Sequence, residues 1–404
     1  MHTAVTNEAK PSSVARWGPI CALTLCVSTL IASEFMPVSL LTPIASDLRV
    51  TKGAAGQAIS VSGLFAVVTS LCIATLSRGI DRRALLLGLT ALMLLSGTTV
   101  ALAPTYAVLM VGRALLGIVI GGFWSMTTAT VMRLMPEDQV SRALSLLNGG
   151  NALATTIAAP LGSFLGQYIG WRGAFLIVVP LAAATFVWQW ATLPSMPSDR
   201  SRRSASALGV MRQRGVAGGM IALALLFMGQ FSLFTYLRPF LEQTAGLSTS
   251  QLSLVLLGMG GAGLIGSWLV GRAVTRSLVA TLALAPILMA AIAGGLIVFG
   301  TMPMAVGLLL ALWGFIGTAV PVAWWTWLAR ILPSDAEAGG GLMVAVIQLA
   351  ITIGAAGGGL LFDVGGYQAT FLASAATLGA AALAALVAGR NASQMNKCLK
   401  LGDW

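Results

Sequence analysis

The chain has few charged side chains: 9% of its 404 residues are Asp, Glu, Lys or Arg, against about a quarter in soluble domains. Its one histidine, His2, stands at the start of the sequence, which excludes a histidine relay or a histidine metal site. The four cysteines have no paired spacing, so neither a disulfide framework nor a zinc site is expected. No glycine-rich stretch ends in Gly-Lys-Ser or Gly-Lys-Thr, so the phosphate loop of ATP-driven proteins is missing. The sequence predicts no cofactor and no bound metal.

Hydrophobic residues are abundant instead, at 57% of the chain, and they form long uninterrupted runs. Runs of about 20 residues cross a hydrocarbon core as helices, which satisfy every backbone polar group in lipid. We therefore predict an all-α polytopic membrane protein with twelve transmembrane helices, whose surroundings are the lipid bilayer. The predicted spans cover residues 17–41, 54–77, 84–103, 106–132, 142–166, 174–193, 216–240, 250–271, 277–299, 303–329, 340–362 and 368–389.

The net charge of +11 does not indicate a nucleic-acid partner, because Lys and Arg are concentrated in the short loops between spans. With the N-terminus in the cytoplasm, the cytoplasmic segments hold 18 of the 23 basic residues. The outer loops hold four, Arg49, Lys52, Arg172 and Arg238, and Arg113 lies inside span 4. Since basic residues favour the cytoplasmic side, both termini are predicted to be cytoplasmic.

The longest polar segment, residues 194–215, divides the spans six and six. We predict an N-terminal six-helix half over residues 1–193, a cytoplasmic linker loop over 194–215, and a C-terminal six-helix half with a tail over 216–404. The halves are weakly similar, with Pro43 matching Pro239. Many secondary transporters are built from two such halves, with a substrate site between them near the midplane.

Two charges lie well inside the predicted spans, Glu34 in span 1 and Arg113 in span 4. At 1.5 Å per residue, both are about 7–9 Å to the outer side of the span centre, so a contact is permitted. An ionisable residue at such a depth is expensive, and is by default a functional candidate. We predict that Glu34 carries an exchanged proton and that Arg113 tunes its affinity. The alternative is a fixed, purely structural ion pair.

The internal repeat supports a special role for these charges. Aligning the prolines of the two halves places Glu34 opposite Gln230, and aligning Arg133 with Arg330 places Arg113 opposite Leu310. The second half thus does without either charge, so the scaffold does not require them. A single acid and a single base do not form a catalytic set, and no enzyme activity is expected.

Small residues and prolines mark candidate hinges and gates. On span 4, Gly112, Gly117 and Gly121 have the spacing that lets helices approach closely. On span 5, Pro160 and Gly162 are candidate gating residues, because proline bends a helix and frees a carbonyl; ordinary packing is the alternative. The loop after span 2 reads Arg-Gly-Ile-Asp-Arg-Arg from residue 78 to 83. Its Asp81 and Arg82 are expected to lock a cytoplasmic gate, unless the cluster only sets the orientation.

Polar and aromatic residues on spans 5, 7, 10 and 11 are candidates for lining a substrate cavity. Aromatic faces stack on flat rings and amides bond to ring edges, although contact with lipid or with packing neighbours is the alternative. The candidate substrate-binding residues are Asn148, Asn151, Gln230, Phe234, Tyr236, Trp324 and Gln348.

Several motifs together resemble the major facilitator superfamily, and more narrowly its bacterial branch of proton-coupled drug and metabolite exporters. They are the pattern from Glu34 to Pro43, the sequence Gly-Gly-Phe-Trp-Ser-Met at 121–126, Ala-Pro-Leu-Gly at 159–162, Phe-Thr-Tyr-Leu-Arg-Pro at 234–239, and Val-Ala-Val-Ile-Gln-Leu-Ala at 344–350. Two positions depart from the family pattern: Asp81 directly precedes its two arginines, and Ala159 replaces a glycine.

Within that branch the resemblance is to the purine ribonucleoside exporters. It implies alternating access, export of nucleosides such as inosine and guanosine in exchange for protons, a bacterial inner-membrane location and a monomer. Two alternatives stay open. The same antiport fold exports drugs or sugars, and a non-transporting sensor can use a transporter scaffold.

Overall fold

The computed structural model describes residues 17–76, 79–136, 138–197, 207–213, 215–332 and 336–401, and over these ranges its regular secondary structure is entirely helical. The predicted all-α fold is confirmed. Arg78, and residues 198–206 and 214 of the predicted linker, lie outside the described residues. The helices are α1 (Trp17–Leu48), α2 (Lys52–Leu76), α3 (Arg82–Ala101), α4 (Tyr106–Leu134), α5 (Val140–Thr192), α6 (Ala207–Met211), α7 (Val216–Thr235), α8 (Leu237–Gln243), α9 (Thr249–Arg276), α10 (Leu278–Val298), α11 (Pro303–Ile331) and α12 (Ala336–Leu401).

Ten helical segments in the described ranges are long and apolar enough to cross a membrane, and two of them are double. Helix α5 has 53 residues and α12 has 66, each far more than one crossing needs. Each is broken at a glycine with positive φ, Gly170 at 70° and Gly366 at 65°. Glycine adopts this backbone conformation without the strain that a side chain brings. Splitting both helices there gives the twelve predicted crossings.

Two predicted span ends were wrong. Span 1 was expected to stop at Leu41, but α1 continues through Pro43 to Leu48. Its last turn is held by Asp47, whose carboxylate accepts a hydrogen bond from Arg172 at 2.5 Å. Span 7 was expected to be continuous, but it is interrupted at Tyr236, which separates α7 from α8.

Each half of the chain has a hydrophobic core of its own. One cluster is built from residues between Ile20 and Met196, and another almost wholly from residues between Val210 and Ala385. The second cluster also takes in Val38, which comes from α1 and therefore packs across the boundary between the halves. The exact domain limits given above stay a prediction.

The glycines predicted to permit close packing on span 4 do so. A methyl group added at Gly117 would lie 2.2 Å from the Ser62 carbonyl oxygen, and one at Gly121 would lie 2.2 Å from the Ala66 carbonyl oxygen. Helix α4 therefore rests directly on the backbone of α2. This contact fixes the position of Arg113, four residues before Gly117 on the same helix.

The bundle has two faces, called here the near face, where α1 begins, and the far face, where α1 ends. Hydrogen bonds between the two halves cluster from the middle of the bundle to the far face. Asp363 of α12 accepts from the Thr51 hydroxyl at 2.6 Å and from the Gly53 N–H at 2.9 Å, at the start of α2. Gln57 on the next turn donates to the Ala356 carbonyl at 3.4 Å. The far end of the interface between the halves is thus closed.

Candidate functional site

Glu34 and Gln348 meet at the interface of the two halves. Glu34 lies in the middle of α1 and is 3% exposed, while Gln348 lies in the first part of α12 and is 6% exposed. The Gln348 Nε2 donates to the Glu34 Oε1 at 3.2 Å. One hydrogen bond therefore joins a buried carboxylate of the first half to a neutral amide of the second.

Arg113 is fully buried and holds the backbone around Glu34 rather than the carboxylate itself. Its Nη1 donates to the Ser33 carbonyl at 2.7 Å and its Nη2 to the Glu34 carbonyl at 3.1 Å. On α2 its Nε donates to the Ala58 carbonyl at 2.8 Å, and Nη2 also bonds the Ser62 hydroxyl at 3.0 Å. These bonds tie α1 and α2 to α4, so the contact expected between the two charged groups runs through the backbone.

A proline explains why the Ser33 carbonyl is available. In an α-helix this oxygen would accept from the N–H of the fourth residue on, which is Pro37 and has no N–H. A buried carbonyl without a donor is costly, so the Arg113 guanidinium satisfies a group that Pro37 leaves open.

Arg238 is a second buried arginine, and its predicted position in an outer loop was wrong. It lies in α8 and is 7% exposed. Its Nη1 donates to the Ser39 carbonyl of α1, and its Nε donates to Glu242 at 2.7 Å. Pro239, which follows it, is tolerated in the first turn of a helix, and here it belongs to the first turn of α8.

An aromatic cluster stands beside Glu34. Phe35 stacks on Phe231 with 5.7 Å between ring centroids and meets the edge of Phe234 at 6.4 Å. Phe231 also stacks on Phe227 at 6.3 Å. Phe234 was predicted from the sequence, but Phe35 was missed, because a residue next to Glu34 in sequence points to a different side of the helix. Together these rings form an apolar cluster at the interface of the two halves, in which Phe234 is edge-on to both Phe35 and Phe231.

Three buried polar atoms of the predicted lining residues have no hydrogen-bond partner among the described residues. They are the Gln230 Oε1, the Gln348 Oε1 and the Trp324 Nε1. Such groups are rare in proteins, since each loses its bonds to water. The two amide oxygens belong to α7 and α12, the helices that carry the aromatic cluster and the partner of Glu34. Trp324 lies deeper in the second half, where its ring meets Trp327 edge-on at 5.3 Å.

Tyr236 has a different position from the one expected of a substrate contact. It is completely buried at the break between α7 and α8. Its hydroxyl donates to the Ala355 carbonyl at 2.8 Å, with the Gly53 carbonyl of the other half 3.4 Å away. Its ring stacks on Phe362. The structure therefore places Tyr236 in the closed far end of the interface.

The two asparagines lie on α5 toward the near face. Asn148 is exposed and Asn151 is half-buried. Only the backbone of Asn151 takes part in a recorded bond, accepting from the Thr155 hydroxyl at 2.9 Å. Their predicted role in substrate binding stays a prediction.

The predicted gate cluster bonds to the start of α3 and to the first residues of the predicted linker. Asp81 caps α3 and accepts from the Arg83 N–H at 2.8 Å, the Met196 N–H at 2.9 Å and the Ser195 hydroxyl. The Ser195 bond, reinforced by these N–H donors, holds the pKa of the Asp81 carboxyl below its ordinary value. The Arg82 N–H donates to the Met196 carbonyl at 3.1 Å. In this conformation the cluster fastens the α2–α3 loop to the segment that follows α5.

Pro160 and Gly162 lie at two packing contacts of α5. Pro160 is buried and leaves the Thr156 carbonyl without its helical donor. Across the interface, Gly260 of α9 packs against that carbonyl, and a methyl group on it would lie 2.7 Å from the oxygen. A methyl group at Gly162 would lie 2.5 Å from the Ser39 hydroxyl oxygen, so α5 also rests closely on α1.

Comparison of the sequence with known proteins agrees with this architecture. The sequence profile of the Major Facilitator Superfamily matches residues 22–340. A Pseudomonas aeruginosa protein named transcription regulatory protein OpdE is 55% identical over 390 residues, covering 96% of this chain and 97% of that protein. The purine ribonucleoside efflux pump NepI of Salmonella paratyphi B is 40% identical over 365 residues, covering 90% and 92%.

Solved structures share the fold at low sequence identity. A bacterial homolog of the human lysosomal transporter Spinster, in an inward-facing and unoccupied conformation, superposes with a TM-score of 0.73 at 15% identity, covering 95% of this chain and 98% of that one. The human organic anion transporter MFSD10 (TETRAN) gives 0.68 at 19% identity, covering 92% and 99%.

Proposed function

Because this chain belongs to the major facilitator superfamily, we propose that it exports purine ribonucleosides in exchange for protons by alternating access. Membership in this family makes it a multi-pass membrane transporter rather than an enzyme. The finer proposal concerns the coupling ion, the substrate and the direction of transport. It depends on the site between Glu34 and Gln348 and on the similarity to the nucleoside efflux pumps.

The observation that carries the proton coupling is the burial of Glu34 with only a neutral amide at its carboxylate. Gln348 donates one hydrogen bond to the carboxylate, whereas the Arg113 guanidinium donates to backbone carbonyls and a hydroxyl. A buried acid in a membrane protein is expensive to keep charged, so uptake of a proton is a ready response to a change in its surroundings. The carboxylate can therefore gain or lose a proton without breaking a strong ion pair.

Gln348 is suited to both protonation states of Glu34. To the carboxylate it donates through Nε2, as observed. To the carboxylic acid it can turn its Oε1, which has no partner among the described residues, and accept the new O–H. The proton then enters on one side and leaves on the other while the link between the halves is remade rather than lost.

A flat, largely neutral substrate fits the groups around this acid. The rings of Phe35 and Phe234, which are only partly buried, offer apolar aromatic surface. The free amide oxygens of Gln230 and Gln348 offer acceptors for N–H and O–H groups. Purine nucleosides combine a stacking ring with such donors, which agrees with the name of the relatives that are 40% identical. Drug or sugar export is the alternative on the same fold.

The proposed orientation puts the near face in the cytoplasm of a bacterium. The basic residues of the loops favour this orientation. Because Arg238 is buried in α8, the outer loops contain one basic residue fewer than predicted, while the number in the cytoplasmic loops is unchanged. The structure then corresponds to a state closed toward the outside. We expect a monomer that requires no cofactor besides the proton.

The test is uptake of radiolabelled inosine into inside-out vesicles with an imposed gradient, acid inside. The wild type is expected to accumulate inosine with the gradient, and excess guanosine is expected to compete. Glu34→Gln keeps the size of the side chain and a bond to Gln348 but removes the titrating group. It should lose gradient-driven uptake and retain exchange of labelled for unlabelled inosine, which requires no net proton movement.

Asp138→Asn is the matched control, because it removes an exposed carboxylate at the near face. It should transport like the wild type. Gradient-driven uptake by Glu34→Gln at the wild-type rate would refute the coupling role. Absence of inosine uptake in vesicles that contain folded wild-type protein would refute the substrate, and drugs and sugars would be tested next in the same vesicles.

A regulatory role is the second candidate, since the relative at 55% identity is named a transcription regulatory protein. An exporter can alter transcription indirectly by lowering the concentration of an effector. Expression of the Glu34→Gln variant in cells distinguishes direct regulation from an indirect effect of export. If loss of the protein changes transcription and Glu34→Gln restores it without restoring export, the regulation is direct.

A further inference from the structure

Helix α1 contains two prolines, and an arginine meets the carbonyl that each one frees. Pro37 frees the Ser33 carbonyl, which accepts from Arg113 of the same half. Pro43 frees the Ser39 carbonyl, which accepts from Arg238 of the other half. The first bond stays within a half, whereas the second crosses the boundary between the halves.

Arg238 is held ready for this bond by its own half. Its Nε donates to Glu242 at 2.7 Å, one turn further along α8, which leaves Nη1 to reach α1. The chain break at Tyr236 turns α8 so that Arg238 lies over α1. Lys52 of α2 lies within electrostatic range of Glu242 and of Asp363. The charged groups on this side of the interface are therefore complementary across it.

Opening of the far face must break the Arg238 bond to Ser39. The two atoms belong to different halves, and the bond lies on the far side of Glu34, five residues further along α1. While the face is closed the guanidinium is 7% exposed and the carbonyl has no helical donor, so each group needs the other. Once water enters, both groups can be hydrated.

We propose that Arg238 is a positioning residue that latches the far face shut by occupying the carbonyl that Pro43 frees. The inference rests on the alternating access proposed above, but it concerns the conformational equilibrium and not the substrate. Pro43 and Arg238 then form a functional pair: the proline creates the acceptor, and the arginine uses it only in the far-closed state.

The test measures opening directly with a thiol reporter in purified, detergent-solubilised protein. Cys21, Cys26, Cys72 and Cys398 are replaced by alanine, and Val38→Cys provides the reporter, since Val38 is 1% exposed and packs against the other half. The rate of reaction with a maleimide then reports the fraction of far-open protein.

Arg238→Gln removes the guanidinium, and Pro43→Ala gives the Ser39 carbonyl an N–H donor within the helix. Each is expected to raise the labelling rate roughly tenfold, as for loss of one charge-assisted hydrogen bond. The double variant should show less than the sum of the two increases, because both changes weaken the same contact. Arg238→Lys, which keeps the charge beside Glu242, should be intermediate.

Arg172→Gln is the matched control. Arg172 is an arginine of the far face that bonds only within its half, to Asp47 and to the Ala103 carbonyl. It should leave labelling unchanged. The latch is refuted if Arg238→Gln and Pro43→Ala label like Arg172→Gln, or if their effects add in full. If Arg238→Gln or Pro43→Ala does not fold, the labelling rate of Arg238→Lys is compared with that of Arg172→Gln instead, and equal rates refute the latch. If the Arg238 and Pro43 variants change the labelling rate but the protein does not transport inosine, the latch proposal stands and the proposed substrate is refuted.

Discussion

Gly260 offers a way to disfavour the far-closed state through packing alone. It lies on α9, where that helix crosses α5, and a methyl group on it would lie 2.7 Å from both the Thr156 Cγ2 and the Thr156 carbonyl oxygen. The Thr156 hydroxyl also donates to the Gly260 carbonyl at 3.3 Å. Gly260→Ala therefore forces α5 and α9 apart where the two halves meet.

The shift in the conformational equilibrium is set by the cost of overpacking. Overpacking by one methyl group costs about 1–3 kcal/mol in a tight contact. Alanine in place of glycine inside a helix returns about 0.5–1 kcal/mol, but it does so in both conformations and leaves their balance unchanged. A cost of about 1–3 kcal/mol to the far-closed state changes the conformational ratio roughly 5- to 150-fold.

The Val38→Cys reporter measures this shift as a faster maleimide reaction. Gly261→Ala is the control, because it is the next residue on α9 and a methyl group there meets nothing within 4 Å. It should gain the helix-propensity benefit and label at the rate of the parent. Equal labelling of the two alanine variants would show that the α5–α9 contact does not depend on closure, and the reasoning would fail.

Two further predictions concern the first half. Asp81→Asn should lower the temperature of unfolding at neutral pH; because the pKa of Asp81 is lowered by its bonds, this difference should shrink as the pH falls through that pKa, which a pH series of thermal unfolding tests. A difference that persists at low pH would contradict it. Arg113→Lys should lose transport and unfold at a lower temperature, because three ammonium hydrogens on one nitrogen cannot reach the three carbonyls and the hydroxyl that the guanidinium bonds. Adding Pro37→Ala, which supplies an N–H to the Ser33 carbonyl, should restore part of the lost stability but not all of it. Wild-type stability in Arg113→Lys alone would refute this account.

The number and type of helices followed from the sequence because hydrophobic runs of membrane length have one stable conformation in lipid. The burial of Glu34 and Arg113 followed for the same reason, since both stand in the middle of such runs. The partners of Arg113 did not follow. They are mostly backbone carbonyls, which every residue has, so residue identity gives no direct sign of them.

An indirect sign was present in the prolines. Pro37 and Pro43 each mark an unbonded carbonyl four residues earlier, and a buried carbonyl requires a donor. The sequence thus contained both acceptors, but which arginine fills each depends on packing between distant helices. The misplacement of Arg238 has the same origin, because the contact that buries it joins α8 to α1 in the other half of the chain. Asp363 was missed since its partners lie in the other half.

Helix α1 carries both the proposed proton site and the carbonyl of the proposed latch. Glu34 and the Ser39 carbonyl lie five residues apart, about 7.5 Å along the axis. Each proline removes one hydrogen bond from the helix, so bending is easier at these two points than elsewhere along α1. Glu34 lies three residues before Pro37 and Ser39 two residues after it, so the two groups flank the same weakened point of the helix. Under the coupling and the latch proposed above, a proton at Glu34 and the Arg238 bond at Ser39 would act on neighbouring segments of one helix, on either side of Pro37.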